Sequence, residues 1–148
     1  MIEILRSAEA VWRGDLKTGQ GMTTTESRVL SDVPYSFKTR FETDRQGTNP
    51  EELIAAAHAS CFSMAFANML AGAGHAPREI RTKAVLTMAK TEAGFKLSKI
   101  RLETTGKVDG LDDATFQATA EKAKNGCPVS QLLKPGLEEL SLKATLIK

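Results

Sequence analysis

The longest run of apolar residues in the chain spans positions 48–70, and its pattern predicts a helix that is buried on most of its faces. Asn49 can accept a hydrogen bond from a free backbone N–H of the first turn, and Pro50 suits the first helical position. Glu51 and Glu52 put negative charge at the positive end of the helix dipole, and Glu52 follows Asn49 at the spacing of a capping box. Beyond this turn, Ala, Leu, Ile, Phe and Met occupy nearly every face, which is typical of a core helix.

Alternating apolar and polar residues before this helix predict three strands. Segments 2–12 and 22–33, separated by Gly14 and the Gly-Gln-Gly turn at 19–21, are typical of an antiparallel pair. Segment 35–41 alternates most regularly, and a strand there would carry on one face Tyr35, Phe37, Thr39 and Phe41. Arg40 would lie on the other face, at the end of the stretch that we expect to approach the central helix.

The pattern after the central helix predicts a hairpin, two helices and a last strand. These elements occupy residues 80–89, 95–106, 112–126, 128–133 and 140–147. The order of strands and helices makes the fold class α+β. A helix that is apolar on nearly all faces needs more cover than one antiparallel sheet supplies, so we expect a homodimer in which a second subunit supplies the rest.

The composition fits one domain, 1–148, because 148 residues with 41% hydrophobic content can bury a core without disulfides or metals. The formal net charge is +2, the charges are interspersed and 5% of residues are aromatic, which argues against a nucleic-acid partner. Charges at Glu3, Arg6 and Glu9 interrupt the N-terminal segment, and no apolar run is expected to be long and dry enough to span a bilayer. We therefore expect a cytoplasmic protein with no membrane partner.

The chain holds two cysteines, Cys61 in the apolar run and Cys127 directly before Pro128. Since thiols are kept reduced in the cytoplasm, the pair must act as free thiols, metal ligands or redox groups rather than as a standing disulfide. A lone Cys in an apolar helix is often an inert core residue. Pro128 would start the short helix, which places Cys127 at its cap, beside free backbone N–H groups that favour a reactive thiol.

Four motifs follow one another along the chain: Phe37-Lys-Thr-Arg-Phe41, Gly47-Thr-Asn-Pro-Glu-Glu-Leu53, Ala55-Ala-Ala-His-Ala-Ser-Cys-Phe-Ser-Met64 and Cys127-Pro-Val-Ser130. Together they closely resemble the OsmC/Ohr family of thiol-dependent hydroperoxide reductases, and the Thr-Arg-Phe ahead of the helix is more similar to the OsmC branch. The resemblance covers essentially the whole chain. It implies an intertwined homodimer in which strands of both chains wrap around long buried central helices, with active sites at the subunit interface.

The resemblance implies a role for each of four residues. Cys61 would be the peroxidatic cysteine, Cys127 the resolving cysteine, and the polar partners of the reactive thiol would be Arg40 and Glu51. The assignment of the acid from the family motif is the weakest of the four, since Glu51 and Glu52 are adjacent and one of them matches the motif. The chemistry can be argued independently, because a thiolate that attacks a peroxide becomes a sulfenic acid, which a second thiol converts into a disulfide. A thiol in an apolar helix has a raised pKa, so the site needs a cation such as Arg, which does not deprotonate.

The resemblance also implies organic hydroperoxides as substrates, reduced more efficiently than inorganic ones, in defence against oxidative and osmotic stress. An apolar pocket would favour such substrates, since each buried methylene contributes about 0.8 kcal/mol. The neighbours that could line it, otherwise ordinary core residues, are Phe62, Met64, Phe66 and Met69. No bound cofactor is expected, and the implied reductant is an external small dithiol of lipoyl type.

Glu51 and Cys61 are ten positions apart, which is about 15 Å along a straight helix. If both serve one site, either Glu51 reaches Cys61 of the partner chain or it acts only through Arg40. A direct contact between the two within one chain is not expected.

Two alternatives remain open. A metal site could form, since His58 and Cys61 share a helix face, and Cys127 and His75 could complete a four-ligand zinc set. The close paired spacings of structural zinc sites are missing, however, so we interpret His58 as a hydrogen-bonded core or site-lining residue. The other alternative is a binding or stress-protective dimer without enzymatic activity, in which the cysteines are bystanders.

Overall fold

A computed structural model describes residues 1–148, and in it the chain divides into two compact units, Met1–Leu53 and Ile54–Lys148. Each unit has its own three-stranded sheet. Apart from one short helix, strands and helices follow one another in the predicted order. The α+β class is confirmed, while the single domain over 1–148 stays a prediction.

The sheet of the first unit is antiparallel and consists of β1 (Ala8–Arg13), β2 (Gln20–Thr25) and β3 (Val33–Tyr35), in this order. The predicted antiparallel pair is therefore confirmed, but the predicted turn at 19–21 is wrong, because Gln20 and Gly21 already pair with β1 as part of β2. Its strands are shorter than the predicted 2–12 and 22–33, because the outer parts of both segments are coil, turn or bend.

The predicted strand at 35–41 is wrong, because helix α1 occupies Phe37–Phe41. Ser36 caps this helix: its side chain accepts a hydrogen bond from the Thr39 backbone N–H, and the Ser36 backbone N–H donates to the Thr39 hydroxyl. This capping box satisfies two free N–H groups at the start of the helix. Helical spacing also brings the two phenylalanine rings to 4.9 Å between centroids. Aromatic residues four positions apart fit both a strand pattern and one helical turn, and the cap decides between them.

Helix α2 spans Pro50–Gly72, and its predicted start is confirmed. The Asn49 side chain accepts a hydrogen bond from the Glu52 backbone N–H at 2.8 Å. The Glu52 carboxylate accepts from the Thr48 hydroxyl at 2.8 Å instead of reaching back to the cap. At the other end Gly74 has a φ of +87°, the left-handed conformation that suits glycine just past a helix.

Within one chain, burial along α2 is confined to one face. The enclosed side chains lie four positions apart and form one stripe: His58, Phe62, Phe66 and Leu70. Met64, outside this stripe, is 76% exposed. The elements of one chain thus enclose this single stripe, and the expected burial on most faces, which includes cover from a second subunit, stays a prediction.

By length and composition alone, α2 is long and apolar enough to cross a membrane. The expectation that no run is long and dry enough to span a bilayer is therefore wrong. Core helices of soluble proteins have the same length and composition. The absence of a membrane partner stays a prediction.

The sheet of the second unit has the order β4-β5-β6. The predicted hairpin is confirmed as β4 (Glu79–Thr91) and β5 (Gly94–Lys107), and the last strand, β6 (Glu139–Ile147), runs parallel to β5 at the edge. Both predicted helices also form, as α3 (Asp113–Gly126) and α4 (Pro128–Leu133). A 3₁₀ turn leads from α4 to the last strand.

Aromatic packing fixes α3 in the core of this unit. The rings of Phe66 in α2 and Phe116 in α3 lie 5.1 Å apart between centroids. Phe116 also packs on Gly106 of β5, where an added Cβ would lie 2.6 Å from the ring. Because Cys127 directly follows α3, this packing also determines where the second cysteine lies.

Candidate active site

Two free thiols meet in the second unit. The Sγ of Cys127 donates a hydrogen bond to the Sγ of Cys61 over 3.0 Å. Cys61 lies midway along α2 and is partly buried, whereas Cys127 is enclosed and joins α3 to α4 as the C-cap of one and the N-cap of the other. The two residues are 66 positions apart in sequence, so the fold rather than any local pattern brings them together.

Burial raises the pKa of the Cys61 thiol, and the hydrogen bond with Cys127 raises it further. The backbone N–H of Val129, in the first turn of α4, opposes this by lowering the pKa. The net shift is upward, which is the direction expected from the sequence for a thiol in an apolar helix. A reactive thiolate at neutral pH therefore needs a further positive charge near Cys61.

A second polar pair lies one helical turn from the cysteines. The Nε2 of His58 lies 2.7 Å from the Oγ of Ser130, and both residues are enclosed. The interpretation of His58 as a hydrogen-bonded core residue is confirmed. Ser130 is not among the predicted site residues, although it stands three residues after Cys127, as His58 stands three before Cys61.

An arginine–carboxylate pair forms in the first unit. The Nη2 and Nε of Arg40 donate to Oε1 of Glu51 at 2.8 and 3.1 Å, and Nε lies 3.3 Å from Oε2. The Glu51 side chain is 12% exposed and the Arg40 side chain 37%. Because the carboxylate of Glu52 binds Thr48 instead, Glu51 is the acid that orients the guanidinium.

A pocket of about 310 Å³ opens beside this arginine, within the first unit. Half of its lining residues are aromatic, and the wall includes Trp12, Tyr35, Phe37, Arg40 and Phe41. Gly21 makes part of this wall possible, since a Cβ there would lie 2.5 Å from the Tyr35 ring and 2.8 Å from Trp12. The pocket combines an apolar surface with one fixed cation.

The four residues considered as zinc ligands do not assemble into a metal site. No group of three or more His, Cys, Asp or Glu side chains in the chain has an arrangement that could hold a metal ion. The Nδ1 of His75 lies 3.4 Å from the Asp109 carbonyl oxygen. Of the four predicted catalytic residues, the structure thus joins Cys61 to Cys127 and, separately, joins Arg40 to Glu51. Their roles in a reaction stay predictions.

The fold and the paired thiols define an α+β protein with a two-cysteine site. The family model described as OsmC-like protein matches residues 43–138. The chain is 52% identical over 131 residues to peroxiredoxin OsmC of Escherichia coli strain K12, covering 88% of this chain and 91% of the relative. It is 31% identical to the organic hydroperoxide resistance protein OhrA of Bacillus subtilis strain 168, over 76% of this chain and 79% of the relative. The chain belongs to the OsmC-like protein family.

Solved structures agree with this assignment. The organic hydroperoxide resistance protein OhrB of Bacillus subtilis has a TM-score of 0.68 at 26% identity, over 93% of this chain and 98% of that one. An organic hydroperoxide resistance protein from Elizabethkingia anophelis has a TM-score of 0.74 at 23% identity, over 97% of this chain and 100% of that one. The second match supports the fold alone.

Proposed function

We propose that this protein is a thiol-dependent peroxidase that reduces organic hydroperoxides, and inorganic ones less efficiently, in cytoplasmic defence against oxidative and osmotic stress. The observation that carries the proposal is the 3.0 Å contact between Cys61 and Cys127. It occurs in a member of a family in which a 52% identical relative is named a peroxiredoxin. Two thiols in contact are what a peroxidase that ends its cycle in a disulfide requires.

In the proposed reaction the Cys61 thiolate attacks the terminal oxygen of the hydroperoxide. The O–O bond breaks, the alkoxide leaves and takes up a proton as the alcohol, and Cys61 becomes a sulfenic acid. The Cys127 sulfur then attacks the Cys61 sulfur, so that an S–S bond forms and the hydroxyl leaves as water. An external dithiol, of lipoyl type, reduces the disulfide by thiol exchange and is itself oxidised, and no bound cofactor takes part.

Arg40 is the proposed cation that favours the Cys61 thiolate. The raised pKa of Cys61 within its own unit calls for such a charge. Arginine stays protonated at any relevant pH, and its bidentate contact with Glu51 holds the guanidinium in one orientation. Glu51 would therefore act by positioning Arg40.

The pocket beside Arg40 supports organic substrates. Its aromatic wall would remove the alkyl part of a hydroperoxide from water while the guanidinium faces the polar end. Each methylene buried there contributes about 0.8 kcal/mol, which is close to a fourfold preference per carbon. Hydrogen peroxide lacks this contribution.

An intertwined homodimer is the proposed assembly. The apolar residues of α2 outside its buried stripe, such as Met64 at 76% exposure, need cover that one chain does not give. Since α2 is continuous, Glu51 and Cys61 stay ten positions apart on one helix. We therefore propose that Arg40 and Glu51 of one subunit serve Cys61 of the other.

A coupled peroxidase assay tests the function. With dihydrolipoamide as reductant, the wild-type protein should consume cumene hydroperoxide with a higher kcat/KM than hydrogen peroxide, and Cys61→Ser should abolish both activities. Ser60→Ala is the matched control, because its exposed hydroxyl bonds the Ala56 carbonyl of its own helix. Wild-type protein that consumes no peroxide, or Cys61→Ser protein that keeps its activity, would refute the proposal.

Mixed dimers test the shared site. A Glu51→Ala subunit paired with a Cys61→Ser subunit should form one site with neither lesion, and so regain about half of the activity. Each variant alone should be defective in both sites. Mixed dimers as inactive as the Cys61→Ser homodimer would contradict the arrangement across subunits.

A further inference from the structure

Two side-chain contacts, rather than one, join α2 to the start of α4. Cys61 meets Cys127 at 3.0 Å, and His58 meets Ser130 at 2.7 Å. The members of each helix stand three residues apart, 58 and 61 on α2, 127 and 130 at α4. Residues at this spacing lie on one face of a helix, so the two contacts are adjacent and run between the same two faces.

Helix α4 depends on such contacts for its position. It has six residues and no side-chain hydrogen bond at its N-cap, Cys127. Helices this short are not stable by themselves in water, so tertiary contacts must hold them. Ser130 is the buried residue of α4, and its hydroxyl contacts His58.

The His58 ring is suited to a permanent structural contact. Burial lowers the pKa of this histidine, which keeps the imidazole neutral at neutral pH. Within the chain its Nδ1 has no hydrogen-bond partner, so the polar contact that the ring makes is the one with Ser130. Losing that contact would leave buried polar groups without partners, which strongly favours keeping it. No step of the peroxidase reaction uses either residue.

We propose that the hydrogen bond between His58 and Ser130 is a latch that fixes α4 on α2 and thereby holds Cys127 against Cys61 for disulfide formation. His58 and Ser130 are positioning residues, which act through Cys127 and touch neither peroxide nor reductant. The inference rests on the proposed function for its biological meaning. With the latch closed, Cys127 captures the sulfenic acid before a second peroxide oxidises it to sulfinic acid.

Equilibrium with a glutathione redox buffer measures the latch without any peroxide. The dithiol protein and oxidised glutathione exchange to the disulfide protein and two molecules of reduced glutathione. In Ser130→Ala the latch no longer holds α4 in place in the dithiol protein, so disulfide formation must itself fix α4, and the equilibrium constant should fall by about tenfold, the equivalent of one buried hydrogen bond. Ser130→Thr, which keeps the hydroxyl, should restore most of the wild-type value.

The matched control is Ser63→Ala. Ser63 lies on the same helix and donates a hydrogen bond to the Thr82 hydroxyl of β4 at 2.8 Å, away from α4. This variant should lower the stability of the fold without changing the thiol equilibrium. His58→Phe should match Ser130→Ala, and the double variant should change the equilibrium no more than either single one, since both remove the same contact.

A peroxide measurement separates the two proposals. After one equivalent of cumene hydroperoxide, with dimedone present, Ser130→Ala should yield more trapped sulfenic acid and less disulfide than wild type. If wild type forms the disulfide in glutathione but not with peroxide, the proposed function fails and the glutathione series still judges the latch. A glutathione equilibrium for Ser130→Ala within twofold of wild type, or an equal shift in Ser63→Ala, would overturn the latch.

Discussion

The pairing of Arg40 with Glu51 predicts a measurable coupling energy between the two side chains. A double-mutant cycle of Arg40→Met, Glu51→Met and the double variant isolates it, because methionine keeps much of each side chain's length without polar atoms. The free energy of unfolding is measured for the wild type and the three variants. The coupling energy is the difference between the decrease in the double variant and the sum of the decreases in the two single variants.

The magnitude follows from the geometry. Exposed ion pairs contribute about 0.2–1 kcal/mol, whereas hydrogen bonds to charged groups contribute about 1.5–3 kcal/mol. This pair has three N···O distances between 2.8 and 3.3 Å, and its carboxylate is 12% exposed while its guanidinium is 37% exposed. We therefore expect a coupling of about 1–1.5 kcal/mol, between the two ranges.

Urea unfolding followed by circular dichroism, at one fixed protein concentration, supplies the four free energies. The fixed concentration matters because an oligomer's apparent stability depends on it. Apart from the helix-dipole interaction that Glu51→Met also removes, Arg40→Met should lower the free energy of unfolding more than Glu51→Met does. The reason is that Arg40→Met leaves the more buried carboxylate without its partner. A coupling below about 0.3 kcal/mol would show that the pair does not hold the arginine, and the positioning role of Glu51 would be lost.

Three further predictions follow from the same structure. Cys127→Ser should leave a sulfenic acid on Cys61 that dimedone traps after one equivalent of cumene hydroperoxide; rapid disappearance of the sulfenic acid without reductant would contradict the resolving role. The pKa of His58 is lowered in the folded protein, whereas in the unfolded chain it is near 6.5, so the unfolded chain binds more protons as the pH falls. The free energy of unfolding should therefore keep its full value above pH 6.5 and decrease below it by at most about 1.4 kcal/mol per pH unit. His58→Phe should flatten that part of the stability–pH profile, and an unchanged slope would assign it to other groups. Phe116→Ala should lower the free energy of unfolding by about 3–5 kcal/mol, because the enclosed ring packs on Phe66, and a loss below about 1 kcal/mol would refute that packing.

Local chemistry decided which elements the sequence could predict. The start of α2 has its own signals in Asn49 and Pro50, and both act in the structure as expected. The strand predicted at 35–41 was wrong because the alternation of aromatic residues was a more obvious signal than the helix cap at Ser36. Over five helical residues, alternation and helical spacing do not differ enough to be told apart by pattern alone.

Contacts between residues far apart in the sequence could not be predicted for the site. The motifs identified each cysteine and the arginine, but the contact between Cys61 and Cys127 spans 66 residues and depends on how α3 packs. The contact of His58 with Ser130 spans 72 residues and had no signal beyond its parallel spacing. Which of two adjacent acids pairs with Arg40 also required the structure, since both stand in the first turn of α2.

The intact mass and non-reducing peptide map of the reduced wild-type protein, after one equivalent of cumene hydroperoxide, show whether peroxide joins Cys61 to Cys127. The two-cysteine cycle predicts the loss of two hydrogens and a peptide in which Cys61 is crosslinked to Cys127. Unchanged thiols, or an oxygen added to Cys61 without a crosslink, would contradict the two-cysteine peroxidase cycle.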